Sequence, residues 1–164
     1  MKKILLIFIN FLFFFCVSSS FSQLRIAVLP FQNMDGDLTL NLLSYKLQDS
    51  VANLLRQYDS LQKNYVVIPS DSIDFLVSQF NLDPTNPQYP TDMWKAVKLL
   101  NANVVISGTF NRKAERILIN AYIYDVKTKL AYPNYQVRDI FKPEDKVMEA
   151  VPIIVKKLLP GLLE

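Results

Sequence analysis

Val104-Val-Ile-Ser-Gly-Thr-Phe110 and Arg116-Ile-Leu-Ile-Asn-Ala-Tyr-Ile-Tyr-Asp125, joined by Asn111-Arg-Lys-Ala-Glu115, decide the fold. Both outer runs are rich in β-branched and aromatic residues, and the polar residues between them are few enough for a hairpin. In the second run Ile117, Ile119, Ala121 and Ile123 alternate with Leu118, Asn120, Tyr122 and Tyr124. Successive strand side chains point to opposite faces, so one face is purely aliphatic and has to be covered by helices.

Working back from this hairpin, Thr91 reads as the cap of a helix through Met93, Trp94, Val97 and Leu100. Pro84, Pro87 and Pro90 make 81–91 a stiff loop without helix. Tyr65 to Pro69 is a short apolar strand, and Ser70 or Asp71 starts a helix around Ile73 to Phe80. Further upstream, Leu40, Leu43, Leu47, Val51, Leu54, Tyr58 and Leu61 recur every three or four residues. That spacing stacks them on one face of a helix, which Asp37 can cap. Arg25 to Phe31 is a first buried strand ended by Pro30.

Downstream, Val126 to Lys129 turns the chain into a last strand over Leu130 to Arg138, which Pro133 marks as an edge strand or an interrupted one. Lys142-Pro143-Glu144-Asp145 has helix-start chemistry, and Val147, Val151, Ile154 and Leu158 form the buried stripe that follows. Pro152 predicts a kink and Pro160-Gly161 an end. The order β-α-β-α-α-β-β-β-α gives an α/β (α+β) fold, a mixed sheet of four to five strands with helices packed on it.

The first 22 residues read as a cleavable signal peptide, leaving 23–164 as a single domain. Lys2 and Lys3 form the basic end, Ile4 to Val17 the apolar run, and Ser20 and Ser22 the small residues before a cut between Ser22 and Gln23. The apolar run is too short to span a bilayer core of ~30 Å comfortably. A second reading makes Cys16 the acylated residue of a lipoprotein. Phe13, Phe14 and Phe15 stand where lipoprotein cleavage favours small residues, so removal of Cys16 with the leader is the expectation. The address is export to the bacterial periplasm, with outer-membrane association if Cys16 is retained.

The net charge of +3 includes Lys2 and Lys3, so the processed chain carries 16 basic against 15 acidic side chains. It has no basic field for nucleic acid. The sequence contains no histidine, which excludes Ser-His-Asp and Cys-His catalysis and His-based zinc sites. Its three glycines, at 36, 108 and 161, cannot form a dinucleotide or Walker loop, so no cofactor is expected. Gly108 reads as a bend or a close backbone approach. Asn33, Asp35 and Asp37 alternate like calcium ligands but lack the glycine and distal glutamate of an EF-hand, which leaves a turn and a cap.

Arg25-Ile-Ala-Val-Leu-Pro-Phe-Gln-Asn33, Leu99-Leu-Asn-Ala-Asn-Val-Val-Ile-Ser-Gly-Thr-Phe110 and Ile117 to Asp125 together resemble the TolB amino-terminal-domain superfamily, with its FlgO-like and CsgG- or LpoB-like envelope proteins. The resemblance spans most of the processed chain and rests on packing motifs. It implies a non-catalytic envelope domain that binds proteins. It brings neither the TolB propeller and partner-binding arm nor the membrane hairpins of CsgG, so neither a Tol role nor a pore is expected.

Tyr122, Tyr124, Tyr132 and Tyr135, on neighbouring strands, are the candidate contact surface, because tyrosine offers large area with a polar tip. The partners expected are envelope proteins, with membrane contact only through the leader or a lipid on Cys16. Arg112, Lys113 and Arg116 read as solvated charges at the hairpin tip, with anionic glycan or lipid heads as their other use. The competing function is a carboxylate-based hydrolase or glycan-binding protein of the envelope, with Asp125 paired to Asp139 or Glu115.

Overall fold

The structure, a computed structural model, describes residues 23–163. The leader, Cys16 and Ser22 lie outside the described residues, and Gln23 is the first within them.

Strand β1, Leu24–Val28, is buried from Ile26 onward. Pro30 interrupts it, having no N–H for the ladder. Leu29 still donates to the Ile106 carbonyl at 2.9 Å, while the Phe31 N–H turns away to the Ser44 carbonyl at 3.3 Å. The strand then resumes as β2, Gln32–Asn33, beside Thr109 and Phe110. The expected end at Pro30 is therefore a break, and the extra piece brings the sheet to six strands.

Asp37 caps as expected: its Oδ1 accepts from the Thr39 N–H at 2.9 Å and the Thr39 hydroxyl at 2.7 Å, opening a 3-10 turn over Leu38–Leu40. Helix α1 follows, Asn41–Tyr58. Its buried arc runs through Leu43, Leu47, Val51 and Leu55, with Ser44, Gln48 and Ala52 beside them. Tyr58 and Leu61, read as part of the stripe, are 56% and 72% exposed. The arc is rotated toward Ser44 and Gln48 because helix α2, Ser70–Gln79, passes on that flank, where the Gln48 amide donates to Asp74 at 3.1 Å.

Strand β3 is Tyr65–Val67. Helix α3, Tyr89–Val97, begins two residues before the expected cap Thr91, with Pro90 in its first turn. Proline removes no bond there, which is why the stiff loop ends earlier than its prolines indicated. β4 and β5 are Val104–Lys113 and Arg116–Asp125, joined by the two residues Ala114 and Glu115 instead of five, with Ala114 at φ 55°. β6 runs farther than expected, Ala131–Pro143. It continues through a bulge opposite Asn120, where Asp139 takes φ 58° and donates its N–H to the Asn120 side-chain Oδ1 at 2.9 Å.

The C-terminal helix is broken into a 3-10 stretch, Glu144–Glu149, then α4, Ala150–Leu158, and α5, Pro160–Leu163. Pro152 makes no kink, since it sits in the first turn of α4, where an N–H would have no partner. Pro160 starts another helical turn in place of a stop, and Leu162 is buried there.

The sheet order is β3-β1-β4-β5-β6, with β2 beside the far end of β4. β1 pairs in parallel with β3 and β4, while β4, β5 and β6 are antiparallel. This mixed sheet with helices on it is the fold class read from the sequence. On one face Ile26, Val28, Ile106, Ile117, Ile119, Ala121 and Ile123 lie beneath Leu47, Val51 and Leu55 of α1 and Val151, Ile154 and Leu158 of α4. Each such large aliphatic side chain contributes about 1.5–3 kcal/mol by leaving water. The Phe31 ring lies against Gly108 on this face, where a Cβ would stand 2.2 Å from it. On the other face a smaller core joins Ala27, Leu29 and Val105 to Ile73 and Val77 of α2 and Met93 and Val97 of α3.

Candidate interaction surface

Helices α2 and α3 cover only part of the second face, and the register shows what they leave. Val105 pairs with Tyr124 at the edge of the smaller core, and beyond it come Ser107 with Tyr122, Thr109 with Asn120, Asn111 with Leu118, and Lys113 with Arg116. Gln136 and Phe141 of β6 extend the same face opposite Tyr122 and Leu118. Its alternation of polar and aromatic residues is what keeps a helix from closing over it.

The aromatic end is built where α3 meets the sheet. The Trp94 and Tyr124 rings meet edge to face at 6.2 Å, Tyr122 leans on Tyr124 at 6.1 Å, and the Lys129 ammonium sits 5.7 Å from the Trp94 ring. Burial, then the neighbouring Tyr122, raises the Tyr124 hydroxyl above the ordinary tyrosine range. Between these rings and the first turn of α3 lies a cavity of about 90 Å³, lined by Tyr89, Met93, Ser107, Thr109, Tyr122 and Tyr124. The buried Tyr89 hydroxyl donates to the Pro30 carbonyl at 3.0 Å and so fixes the cavity floor.

The four tyrosines do not form one patch. Tyr122 and Tyr124 share the open face, whereas Tyr132 and Tyr135 pack on the opposite one, against the larger core. Tyr135 lies over Gly161, where a Cβ would come within 2.4 Å of its ring. The cause is a register shift: Tyr124 pairs with Ala131 but Tyr122 with Gln136, so extra residues on β6 break the simple alternation. Trp94, read as part of a buried helical stripe, instead joins the open-face aromatics; its place beside a tyrosine two strands away depends on long-range pairing.

The hairpin cations also divide. Arg112 is not a free charge: its Nη1 donates to Asp37 at 3.0 Å, its Nη2 to Glu144 at 2.8 Å, and its backbone N–H to Asp35. The Glu144 bond is the main cause raising the guanidinium pKa. Asp37 is held below the usual carboxylate range first by the Thr39 hydroxyl. These bonds use the oxygens that suggested calcium ligands, leaving a turn and a cap. Lys113 and Arg116 are exposed on the open face, Arg116 lying 5.9 Å from the Phe141 ring centroid. Arg138 stands apart from them on β6, its Nε donating at 3.2 Å to Gln136, the partner of Tyr122.

The carboxylates proposed for catalysis are not brought together. Asp125 closes the turn after β5, accepting from the Thr128 N–H at 2.7 Å and hydroxyl at 2.9 Å, which depress its pKa. Asp139 is in the β6 bulge and Glu115 in the hairpin turn at the other end of β5. At ~3.3 Å per strand residue they stand roughly 15 and 30 Å from Asp125, beyond the separations acid-base pairs use. Among the described residues no group of three or more His, Cys, Asp or Glu could hold a metal ion, and no helix is long and apolar enough to cross a membrane.

No protein-family model and no curated protein matches the sequence. Solved structures do. Escherichia coli LpoB determined by NMR matches at TM-score 0.53 and 10% identity, over 74% of this chain and 59% of that one. The chain shares the LpoB fold. The crystallised E. coli LpoB C-terminal domain agrees, at TM-score 0.50 and 11% identity over 73% of this chain and 82% of that one. TolB from Acinetobacter baumannii aligns at TM-score 0.45 and 16% identity, over 85% of this chain and 29% of that one. LpoB belongs to the superfamily that the strand motifs resemble, so the fold read from those motifs is the fold observed.

Proposed function

We propose that the chain is an exported, non-catalytic envelope protein that binds other proteins through its open sheet face, as an accessory or regulator of an envelope assembly. The observation that carries this is the unfinished second layer: Tyr89, Tyr122 and Tyr124 line a small cavity at the point where the helices stop, with Trp94 edge-on against Tyr124. Aromatic residues around a pocket, bordered by polar side chains, are the composition of an interface centre and rim. The leader-like first 22 residues and the LpoB fold support the envelope setting.

The face is a better surface than the β6 edge. That edge carries Pro133, which has no N–H, and two breaks in register, all of which discourage strand addition.

A photoreactive residue placed at Tyr122 in intact cells, compared with one at the exposed Lys157 on α4, tests the proposal. A discrete protein adduct from position 122 and none from 157 is the expected result. Adducts from 157 alone would move the contact to the helical face and defeat the reading.

A further inference from the structure

The open face is polarised along its length. Reading the register from β4 and β5 outward, its residues are Tyr124 and Val105, Tyr122 and Ser107, Asn120 and Thr109, Leu118 and Asn111, then Arg116 and Lys113. The aromatic cavity is at one end, neutral amides and hydroxyls are in the middle, and two exposed cations are at the other. Arg138, bonded to the Gln136 that pairs with Tyr122, lies nearer the aromatic end, which Lys129 also flanks over Trp94. None of these β4 and β5 positions is acidic. The carboxylates bordering them are Glu115 in the turn, Asp139 in the bulge, Asp125 at the end of β5, held by Thr128, and Asp35, held by the Arg112 N–H. Arg112, which could have spread positive charge to both faces, is instead neutralised on the other side by Asp37 and Glu144.

We infer that this face takes an acidic segment of a partner protein, anchored by one apolar side chain in the cavity beside Tyr122 and carrying carboxylates over Lys113 and Arg116. This rests on the open face being the contact surface. The two ends are six residues apart along each strand, which sets the spacing from anchor to acidic group at about 20 Å. The cavity, about 90 Å³ and lined mainly by rings, Met93 and hydroxyls, fits one apolar side chain better than a charged group, which would lose its water without gaining a counter-ion. The cations at the far end are exposed, so their part is to orient and select the partner and to speed encounter more than to hold it.

The test uses the full chain in cells with the photoreactive residue at 122. The double reversal Lys113→Glu and Arg116→Glu is compared with Lys156→Glu and Lys157→Glu, an equal change of charge on α4. The expected result is at least an about tenfold loss of adduct for the first pair, little change for the second, and an adducted partner peptide with clustered Asp or Glu. An unchanged yield, or a basic or neutral peptide, overturns the inference while leaving the contact surface intact. No adduct from 122 in the unaltered chain overturns the contact surface itself, and this inference with it. Phosphatidylglycerol vesicles that bind the purified protein through Lys113 and Arg116 would overturn it in favour of a membrane surface.

Discussion

The two faces of the sheet are built from the same strands yet end differently. Toward α1 and α4, β5 presents Ile117, Ile119, Ala121 and Ile123, all without exposed area, and the layer is complete. Toward α2 and α3 it presents Leu118, Asn120, Tyr122 and Tyr124, and the helical layer stops at Tyr124. Alternation along one strand thus separates the aliphatic side, which holds the fold, from the mixed side, which we propose for contact. Truncations on the two sides should have effects of different kinds.

The largest expected difference is between matched truncations. Ile119→Ala or Ile154→Ala should each cost about 3–4 kcal/mol, because both are fully buried in a core that cannot collapse around the gap. Tyr122→Ala should cost about 1 kcal/mol or less, chiefly its contact with Tyr124, while removing the adduct from a photoreactive residue placed at Thr109, which lines the same cavity. Denaturant unfolding of the three variants checks the first part, and equal losses would erase the distinction between the faces.

Next is Gly108→Ala, expected to cost about 2–3 kcal/mol although it adds only a methyl group. The new Cβ would stand 2.2 Å from the Phe31 ring and 2.5 Å from the Asn120 carbonyl oxygen. Combining it with Phe31→Leu should recover part of the loss in thermal unfolding. No recovery would place the strain at the Asn120 backbone instead.

A smaller effect is expected where α1 touches α2. Burial raises the Asp74 carboxyl pKa, and the charges of Asp49 and Asp71 add to this against the bond from Gln48. The buried Gln48 Oε1 has no partner. A carboxyl raised in the folded state stabilises it when protonated, so its contribution is present at low pH and is lost as pH rises through the folded pKa. Asp74→Asn should therefore gain about 1 kcal/mol at neutral pH, since its amide can donate to that oxygen, and should flatten this part of the pH dependence. Asp37, Asp125 and Glu149 have lowered pKa values and act in the opposite sense, losing their contribution as pH falls through them. Stability curves of the two proteins between pH 3 and pH 8, on the order of the carboxylate range, separate these contributions.

The smallest stability change is expected for Lys113→Glu with Arg116→Glu, about 0.5 kcal/mol or less, because exposed charges are well screened. Equilibrium unfolding of that variant checks it, and a large loss would mean that the hairpin end is structural.

The fold was legible where one strong pattern decided it. The aliphatic side of β5 follows from residue spacing, the cap from the Asp37 carboxylate, and the edge position of β6 from Pro133. Proline was misread four times, at 30, 90, 152 and 160, because its effect depends on whether the lost N–H would have had a partner. The surface was half legible. Tyr122 and Tyr124 share a face by the period of two, but a register shift invisible in the sequence separates them from Tyr132 and Tyr135. Nor could spacing show that Arg112 is tied to Asp37 and Glu144, which are distant along the chain.

The most direct measurement is tyrosine labelling of the protein in its cellular envelope and in purified form. Tyr122 should react readily when purified and be protected in the envelope, while Tyr58, exposed at the end of α1, reacts equally in both. Equal labelling of Tyr122 in the two settings, or protection of Tyr58 alone, would contradict the assignment of the open face as the contact surface.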